Sequence, residues 1–189
     1  MRDAWQYPQL VVPDAVCVVV CIIAAVTDLR SRRIPNWLTV PAIVGGLLLN
    51  MTLAAACSGP AFTVKVALAS SAAGCLFLLL VFGLLGFINF VGMGDVKLMA
   101  AVGALLRWPT AMWALAYVAL AGGVVAVVYA LLSGRLGAVL RNLFRIGRRL
   151  IPSKTRPEVE LHRVPYALAV LLGATWAAAL KYFPVLALS

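Results

Sequence analysis

Long apolar segments alternate with short polar ones along this 189-residue chain. A membrane-spanning helix needs about 20 predominantly apolar residues. The pattern predicts five helices of about that length and one short one, and Arg107-Trp108-Pro109 ends the short helix because proline cannot continue it. The predicted spans are residues 10–27, 37–56, 66–90, 96–106 (the short one), 110–132 and 164–188. The sequence therefore predicts an all-α membrane protein, one domain over residues 1–189 with six transmembrane helices.

The composition supports a membrane protein and excludes two other classes. Hydrophobic residues make up 64% of the chain and charged residues 12%, with a mean hydropathy of +1.03. These values exclude an ordinary water-soluble globule and a disordered chain. The net charge of +10 could by itself suggest a nucleic-acid partner. Because the basic residues lie between apolar segments, we instead assign them to membrane orientation and expect no nucleic acid.

The distribution of lysine and arginine predicts which side of the membrane each loop occupies. Six spans place both termini on one side, and the loops on the opposite side carry 12 basic residues against 4. Because cytoplasmic loops are enriched in basic residues, both termini are expected outside. The 12 are Arg30, Arg32, Arg33, Lys97, Arg135, Arg141, Arg145, Arg148, Arg149, Lys154, Arg156 and Arg163, and the 4 are Arg2, Lys65, Arg107 and Lys181.

The polar stretch over residues 133–163 is expected to be a basic cytoplasmic loop. Within it, apolar residues recur at helical spacing over residues 135–151, and the arginines fall largely on the opposite face. This pattern predicts an amphipathic helix on the inner membrane surface, where it would contact anionic lipids. A solvated linker that carries positive-inside charge is the alternative.

Cysteine and histidine argue against metal chemistry. The four cysteines form no CxxC pair, and His162 is the single histidine. We therefore expect no zinc site and no CxxC redox motif. No other metal and no organic cofactor is expected either. Cys17 and Cys21 share one face of the first helix and are expected to be packing residues.

Six acidic residues are few enough to consider singly, and four have ordinary explanations. Asp3 lies in the N-terminal tail, and Glu158 and Glu160 balance charge in the arginine-rich loop. Asp14 follows a proline at the start of the first span, where we expect it to cap the helix N-terminus. Asp28 and Asp95 remain.

Asp28 and Asp95 both fall at the cytoplasmic ends of their predicted helices. Asp28 ends the first span, where an interfacial anchor paired with Arg32 is an alternative. Asp95 precedes the short helix 96–106, which rises only about 17 Å against a hydrocarbon core of about 30 Å. If Arg107 marks the outer interface, Asp95 lies within the depth of the membrane, where an acid indicates a functional site. A helix N-cap at a tight turn is the alternative.

If the two carboxyl groups meet, they would share a proton and titrate as a pair. An ionised and a protonated carboxyl together can activate a water and protonate a departing amine, as in aspartic proteases. The sequence alone does not establish that Asp28 and Asp95 meet.

Three motifs resemble those of the type IV prepilin leader peptidases, which are GxGD-type intramembrane aspartic proteases. They are Asp28 with Ile34-Pro35-Asn36, the segment Gly92-Met93-Gly94-Asp95-Val96-Lys97-Leu98, and Val164-Pro165-Tyr166-Ala167-Leu168-Ala169 at the start of the last helix. The resemblance implies a multi-pass protein of the bacterial inner membrane. It further implies cleavage of a prepilin after its short basic leader, usually after a glycine, at the cytoplasmic face.

The resemblance also implies roles for individual residues. Asp28 and Asp95 would be the catalytic pair, and the supporting motif residues would be Gly92, Gly94, Lys97, Pro35 and Asn36. Pro35 and Asn36 are expected to shape the loop and cap the second helix. Lys97 would tune the pair or contact substrate, with a side chain extending to the membrane interface as the alternative. No motif indicates which residues bind substrate.

Many members of this family carry an additional N-terminal domain with paired CxxC motifs, which is linked to methylation of the new pilin terminus. This chain lacks those motifs, so it resembles the short, peptidase-only branch that serves tight-adherence (Flp-type) pili, and methyltransferase activity is not expected. Two other functions stay open, a proton-coupled membrane transporter and a non-catalytic scaffold for pilus assembly.

Overall fold

The structure is a computed structural model that describes residues 8–31, 34–58, 61–88, 91–132 and 166–181. Six helices make up almost all of these residues. The predicted all-helical fold is confirmed over these ranges. The helix predicted over residues 135–151 and the rest of the 133–163 loop lie outside them. The helices are α1 (Pro8–Ser31), α2 (Asn36–Ser58), α3 (Ala61–Phe87), α4 (Met93–Leu106), α5 (Thr110–Leu132) and α6 (Tyr166–Leu180).

Four of the described helices are long and apolar enough to cross a membrane, over Val11–Ser31, Asn36–Cys57, Val64–Phe87 and Thr110–Val128. The described part of α6 is a shorter apolar helix. Large apolar side chains lie exposed on the outer faces of these helices, among them Val19 of α1, Leu80 of α3 and Leu120 of α5. Helices of this length whose outward surface is also apolar are those of an integral membrane protein.

The short helix α4 lies at the centre of the bundle. It contacts each of the other five helices, and every residue from Leu98 to Leu106 is buried. A helix that is apolar on all sides is stable only when other elements surround it. Its 14 residues rise about 21 Å, which is less than the hydrocarbon core of about 30 Å. A helix of this length cannot reach both membrane surfaces, so at least one of its ends is expected among neighbouring helices.

Two polar side chains satisfy the C-terminal end of α4. The last carbonyls of a helix have no partner within the helix. The Asn50 Nδ2 of α2 donates to the Ala104 carbonyl at 3.0 Å and to the Leu105 carbonyl at 3.4 Å. The Ser71 hydroxyl of α3 also donates to the Ala104 carbonyl. Because both side chains are buried, these bonds replace the water that the helix end cannot reach.

Small residues allow the helices to approach closely. A Cβ on Gly103 of α4 would overlap the Gly74 carbonyl of α3, so the two backbones are in direct contact. A Cβ on Gly173 of α6 would likewise overlap the backbone of Val118 in α5. Close backbone contact at glycine is typical of helix packing in membranes, where burial of apolar surface from water provides no driving force.

An ion pair joins the first and last helices. The Lys181 ammonium, just after α6, donates to both carboxyl oxygens of Asp14 at 2.7 and 3.0 Å. Our prediction that Asp14 caps a helix terminus is wrong, because α1 begins at Pro8 and its first turn holds no acid. Asp14 instead lies in the second turn and is only 5% exposed. The end of α6 therefore lies beside the early part of α1.

Candidate active site

Asp28 continues the buried face of α1. Residues three and four positions apart lie on the same side of a helix, and Asp14, Cys17, Cys21 and Ala24 are spaced in this way and are all buried. The burial of Cys17 and Cys21 confirms their assignment as packing residues. Asp28 is the next position in this series, is half-buried, and lies one turn before the end of α1. The helix therefore directs Asp28 toward the side on which α1 packs against the bundle.

The connection that follows Asp28 contacts the beginning of α4. A Cβ placed on Gly94 would lie 3.2 Å from the Cβ of Ile34, which is tighter than most carbon contacts in proteins. Three residues further along α4, the Lys97 ammonium donates to the Asn36 carboxamide oxygen at 2.9 Å. Glycine at position 94 thus permits the close approach, and the start of α4 meets the segment that leads into α2.

Asp95 lies in the first turn of α4. The helix begins at Met93 and not near Val96, and Gly92 occupies the N-cap position in an extended conformation with φ −68° and ψ 145°. The alternative that Asp95 is the N-cap is therefore wrong. A Cβ on Gly92 would lie 3.1 Å from the Asp95 Oδ2, so the glycine leaves room for the carboxylate. The N-terminal end of a helix also stabilises a nearby negative charge.

The first residue of α6, Tyr166, lies near Asp95. Its ring packs against Phe82 of α3, with the ring centroids 6.1 Å apart, and a Cβ on Gly122 of α5 would contact its edge at 3.6 Å. The Asp95 carboxylate is close enough to the Tyr166 phenol for an electrostatic interaction. In the sequence, Tyr166 stands out only as part of a family motif, and no local pattern could have revealed its neighbour.

Helix lengths place Asp28 at the same depth as Tyr166. The ion pair fixes Asp14 beside Lys181. Asp28 lies 14 residues further along α1 and Tyr166 lies 15 residues back along α6, which corresponds to about 21 Å and about 22 Å. Because α6 ends beside the early part of α1, the two helices run in opposite directions. The structure therefore brings Asp28, Tyr166 and Asp95 to one end of the bundle, and the Asp14–Lys181 pair lies at the other.

Pro35, Asn36 and Lys97 connect the two segments. The Pro35 carbonyl accepts hydrogen bonds from the backbone N–H groups of Leu38 (3.1 Å) and Thr39 (3.4 Å), so it is the first acceptor of α2. Asn36 is the first helical residue, and its side chain accepts the hydrogen bond from Lys97 described above. The interaction of Lys97 with Asn36 ties the start of α2 to the start of α4. Among the residues that the structure describes, no group of three or more His, Cys, Asp or Glu side chains could hold a metal ion.

Comparison with known proteins identifies the family of this chain. The fold and the two half-buried acids at one end of the bundle define an integral membrane protein with a candidate carboxyl site. The profile of the type IV leader peptidase family matches residues 15–127, which include both Asp28 and Asp95. This chain belongs to the type IV leader peptidase family.

Curated relatives are similar to this chain over about half of its length. Two proteins named prepilin leader peptidase/N-methyltransferase, from Burkholderia pseudomallei strains 1026b and K96243, are 35% identical over 104 residues, which are 53% of this chain and 32% of each relative. A protein of the same name from Dickeya chrysanthemi is 32% identical over 107 residues, or 55% of this chain and 36% of the relative. The match thus spans about a third of each relative's length. No solved structure matches the chain significantly.

Proposed function

We propose that this chain is a prepilin leader peptidase. It hydrolyses the peptide bond after the short basic leader of a Flp-type prepilin at the cytoplasmic membrane face, with Asp28 and Asp95 as an aspartyl pair. Family membership supports the reaction class. The names of the relatives support the substrate class, and methyltransferase activity forms no part of the proposal.

The observation that carries the proposal is the contact between Gly94 and Ile34, together with the Lys97–Asn36 hydrogen bond. These contacts hold the start of α4 against the connection that leaves α1. Asp28 lies six residues before Ile34 and Asp95 directly follows Gly94, so the contacts lie close in sequence to both carboxyl groups. Acidic side chains within a membrane bundle are costly, so two of them at one end of the bundle indicate a functional site.

The proposed chemistry needs one ionised and one protonated carboxyl. The ionised group removes a proton from a water molecule as the water oxygen bonds to the carbonyl carbon of the scissile peptide. The protonated group then donates its proton to the peptide nitrogen, and the carbon–nitrogen bond breaks. The products are a leader with a new carboxylate and a pilin with a new amino terminus. Paired carboxyl groups that are shielded from water share a proton readily.

Cleavage by single variants tests the proposal. Membranes that contain the full chain, or its Asp28→Asn or Asp95→Asn variant, are incubated with a purified Flp-type prepilin, and the cleaved product is measured per molecule of folded protein. Each variant is expected to lose at least about a thousandfold in rate, because either substitution removes one of the two proton-transfer roles. Asp14→Asn is the matched control, since it removes an α1 carboxyl about 21 Å from Asp28, and is expected to retain cleavage.

Normal cleavage by Asp28→Asn or by Asp95→Asn would refute the pair. Absence of cleavage by the unaltered chain, combined with proton-linked solute uptake into proteoliposomes, would favour a transporter. Pilus assembly that survives loss of both acids would favour a scaffold.

A further inference from the structure

Lys97 and Asn36 form a hydrogen bond that the proposed chemistry does not use. The Lys97 ammonium of α4 donates to the carboxamide oxygen of Asn36, the first residue of α2, at 2.9 Å. The sequence leaves three roles open for Lys97, namely tuning the acidic pair, contacting substrate or extending to the membrane interface. The bond shows where this side chain lies, which is against the start of α2.

Helix geometry separates Lys97 from Asp95. Each residue of an α-helix is rotated by about 100° from the one before, so positions 95 and 97 lie about 160° apart around α4. The Lys97 side chain therefore leaves α4 on the side opposite Asp95. Gly94, in contrast, is three positions before Lys97 and lies on the same face of the helix. Any influence of the bonded Lys97 on Asp95 is thus expected to act through the position of α4.

Two contacts, one turn apart on this face of α4, hold the helix against the segment that leads into α2. At Gly94, an added Cβ would lie 3.2 Å from the Cβ of Ile34, and at Lys97 the bond to Asn36 follows. One contact alone would let the first turn of α4 rotate, whereas two fix both its rotation and its position along the axis. The helix that carries Asp28, α1, ends three residues before Ile34.

We propose that Lys97 and Asn36 are positioning residues that hold the first turn of α4, and with it Asp95, in the orientation that cleavage requires. This inference rests on the proposed peptidase function. Reacting groups must be held in one geometry, and a misplacement of about 1 Å can lower a rate about a hundredfold. Asn36 is exposed and Lys97 is half-buried, so their bond adds little to the stability of the fold. Its loss should therefore lower turnover without unfolding the chain.

Steady-state kinetics separate this role from a contact with substrate. Lys97→Met and Asn36→Leu each remove one partner of the bond, and the double variant removes both. Cleavage of a purified Flp-type prepilin by the detergent-purified full chain gives kcat and KM. Each single variant is expected to lower kcat about tenfold while KM stays within about twofold. The double variant should be no slower than the single ones, because all three lose the same bond.

Two further variants serve as controls. Asn36→Asp keeps an oxygen that accepts from the Lys97 ammonium and is expected to keep most of the rate. Lys65→Met removes an exposed lysine near the start of α3, about 31 Å along that helix from Gly86. Because an added Cβ on Gly86 would lie 3.0 Å from Val96 in the first turn of α4, Lys65 is far from the bond, and its substitution should leave kcat unchanged.

Three kinetic results would overturn the positioning role. The first is a raised KM with unchanged kcat, which would favour a contact between Lys97 and substrate. The second is full activity of Asn36→Leu, or a loss in Asn36→Asp as large as that in Asn36→Leu. The third is a double variant in which the two single losses multiply.

A second measurement requires no cleavage. Trp37, next to Asn36, and Met93, at the start of α4, are both largely exposed. In a cysteine-free variant of the full chain, Trp37→Cys and Met93→Cys carry spin labels, and the distance between the labels is measured by pulsed electron paramagnetic resonance. We expect a narrow distribution that Lys97→Met or Asn36→Leu broadens. A distribution that neither substitution changes would overturn the positioning role, whereas absence of cleavage by the unaltered chain would count against the peptidase proposal.

Discussion

The Asp14–Lys181 pair allows a quantitative test of how the first and last helices are held together. Asp14 is 5% exposed, whereas the Lys181 side chain is 20% exposed and lies just past the end of α6. Removing one partner of a buried pair leaves the other charge without compensation. The two possible single substitutions therefore leave different groups behind, and their costs should differ.

Lys181→Met leaves a buried carboxyl without its donor, and we expect it to lower the free energy of unfolding by about 3 kcal/mol. Asp14→Leu leaves a lysine whose flexible side chain can extend to the membrane interface, so its cost should be only about 1–2 kcal/mol. The double variant replaces the pair by apolar groups and should cost at most about 1 kcal/mol. The resulting coupling energy between the two positions is at least about 3 kcal/mol.

The assay is reversible unfolding of the detergent-purified chain in mixed micelles with increasing SDS, followed by tryptophan fluorescence. Unfolding free energies are obtained for the unaltered chain, both single variants and the double variant. Two results would refute the reasoning: a larger cost for Asp14→Leu than for Lys181→Met, or a double variant whose cost equals the sum of the two single costs.

Three further predictions concern the central helix. Gly103→Ala should lower the unfolding free energy by about 2 kcal/mol, because the new methyl overlaps the backbone of α3. Gly45→Ala is the control, because the added Cβ meets nothing within 4 Å. It should be neutral or stabilising in the same unfolding assay. Asn50→Leu should cost about 2–3 kcal/mol by removing the donor to two carbonyls at the end of α4, and a cost below about 0.5 kcal/mol would show that water replaces it. Gly94→Ala should slow prepilin cleavage about tenfold by displacing the start of α4, and adding Ile34→Gly should restore most of the rate because it removes the Ile34 Cβ, the atom closest to the new methyl.

The apolar segments predicted the all-helical fold because, in membranes, the backbone must satisfy its own hydrogen bonds. Hydropathy was less informative about helix ends. It placed the start of the fourth helix near Val96, whereas α4 begins at Met93 and includes Gly94 in its first turn. It also assigned Asp14 to a helix terminus. No local pattern shows that Lys181, near the other end of the chain, forms an ion pair with Asp14.

The candidate site was predictable where a residue type was unusual for its surroundings. Asp28 and Asp95 could be identified because an acid is costly in an apolar chain. Tyr166 and Asn50 could not, since tyrosine and asparagine within apolar helices have many uses. Their roles depend on contacts between helices that are distant in sequence, such as Tyr166 with Phe82 and Asn50 with the end of α4.

The proposed aspartyl pair requires residues 28 and 95 to lie close together. In a variant whose native cysteines are replaced by serine or alanine, Asp28→Cys and Asp95→Cys are introduced together and treated in membranes with a short bifunctional thiol cross-linker. Asp14→Cys with Asp95→Cys is the control pair, because position 14 lies about 21 Å further along α1. We expect an intramolecular cross-link for the 28/95 pair and none for the control pair. A cross-link confined to the control pair, or none for 28/95 when both thiols react with a monofunctional reagent, would contradict the account.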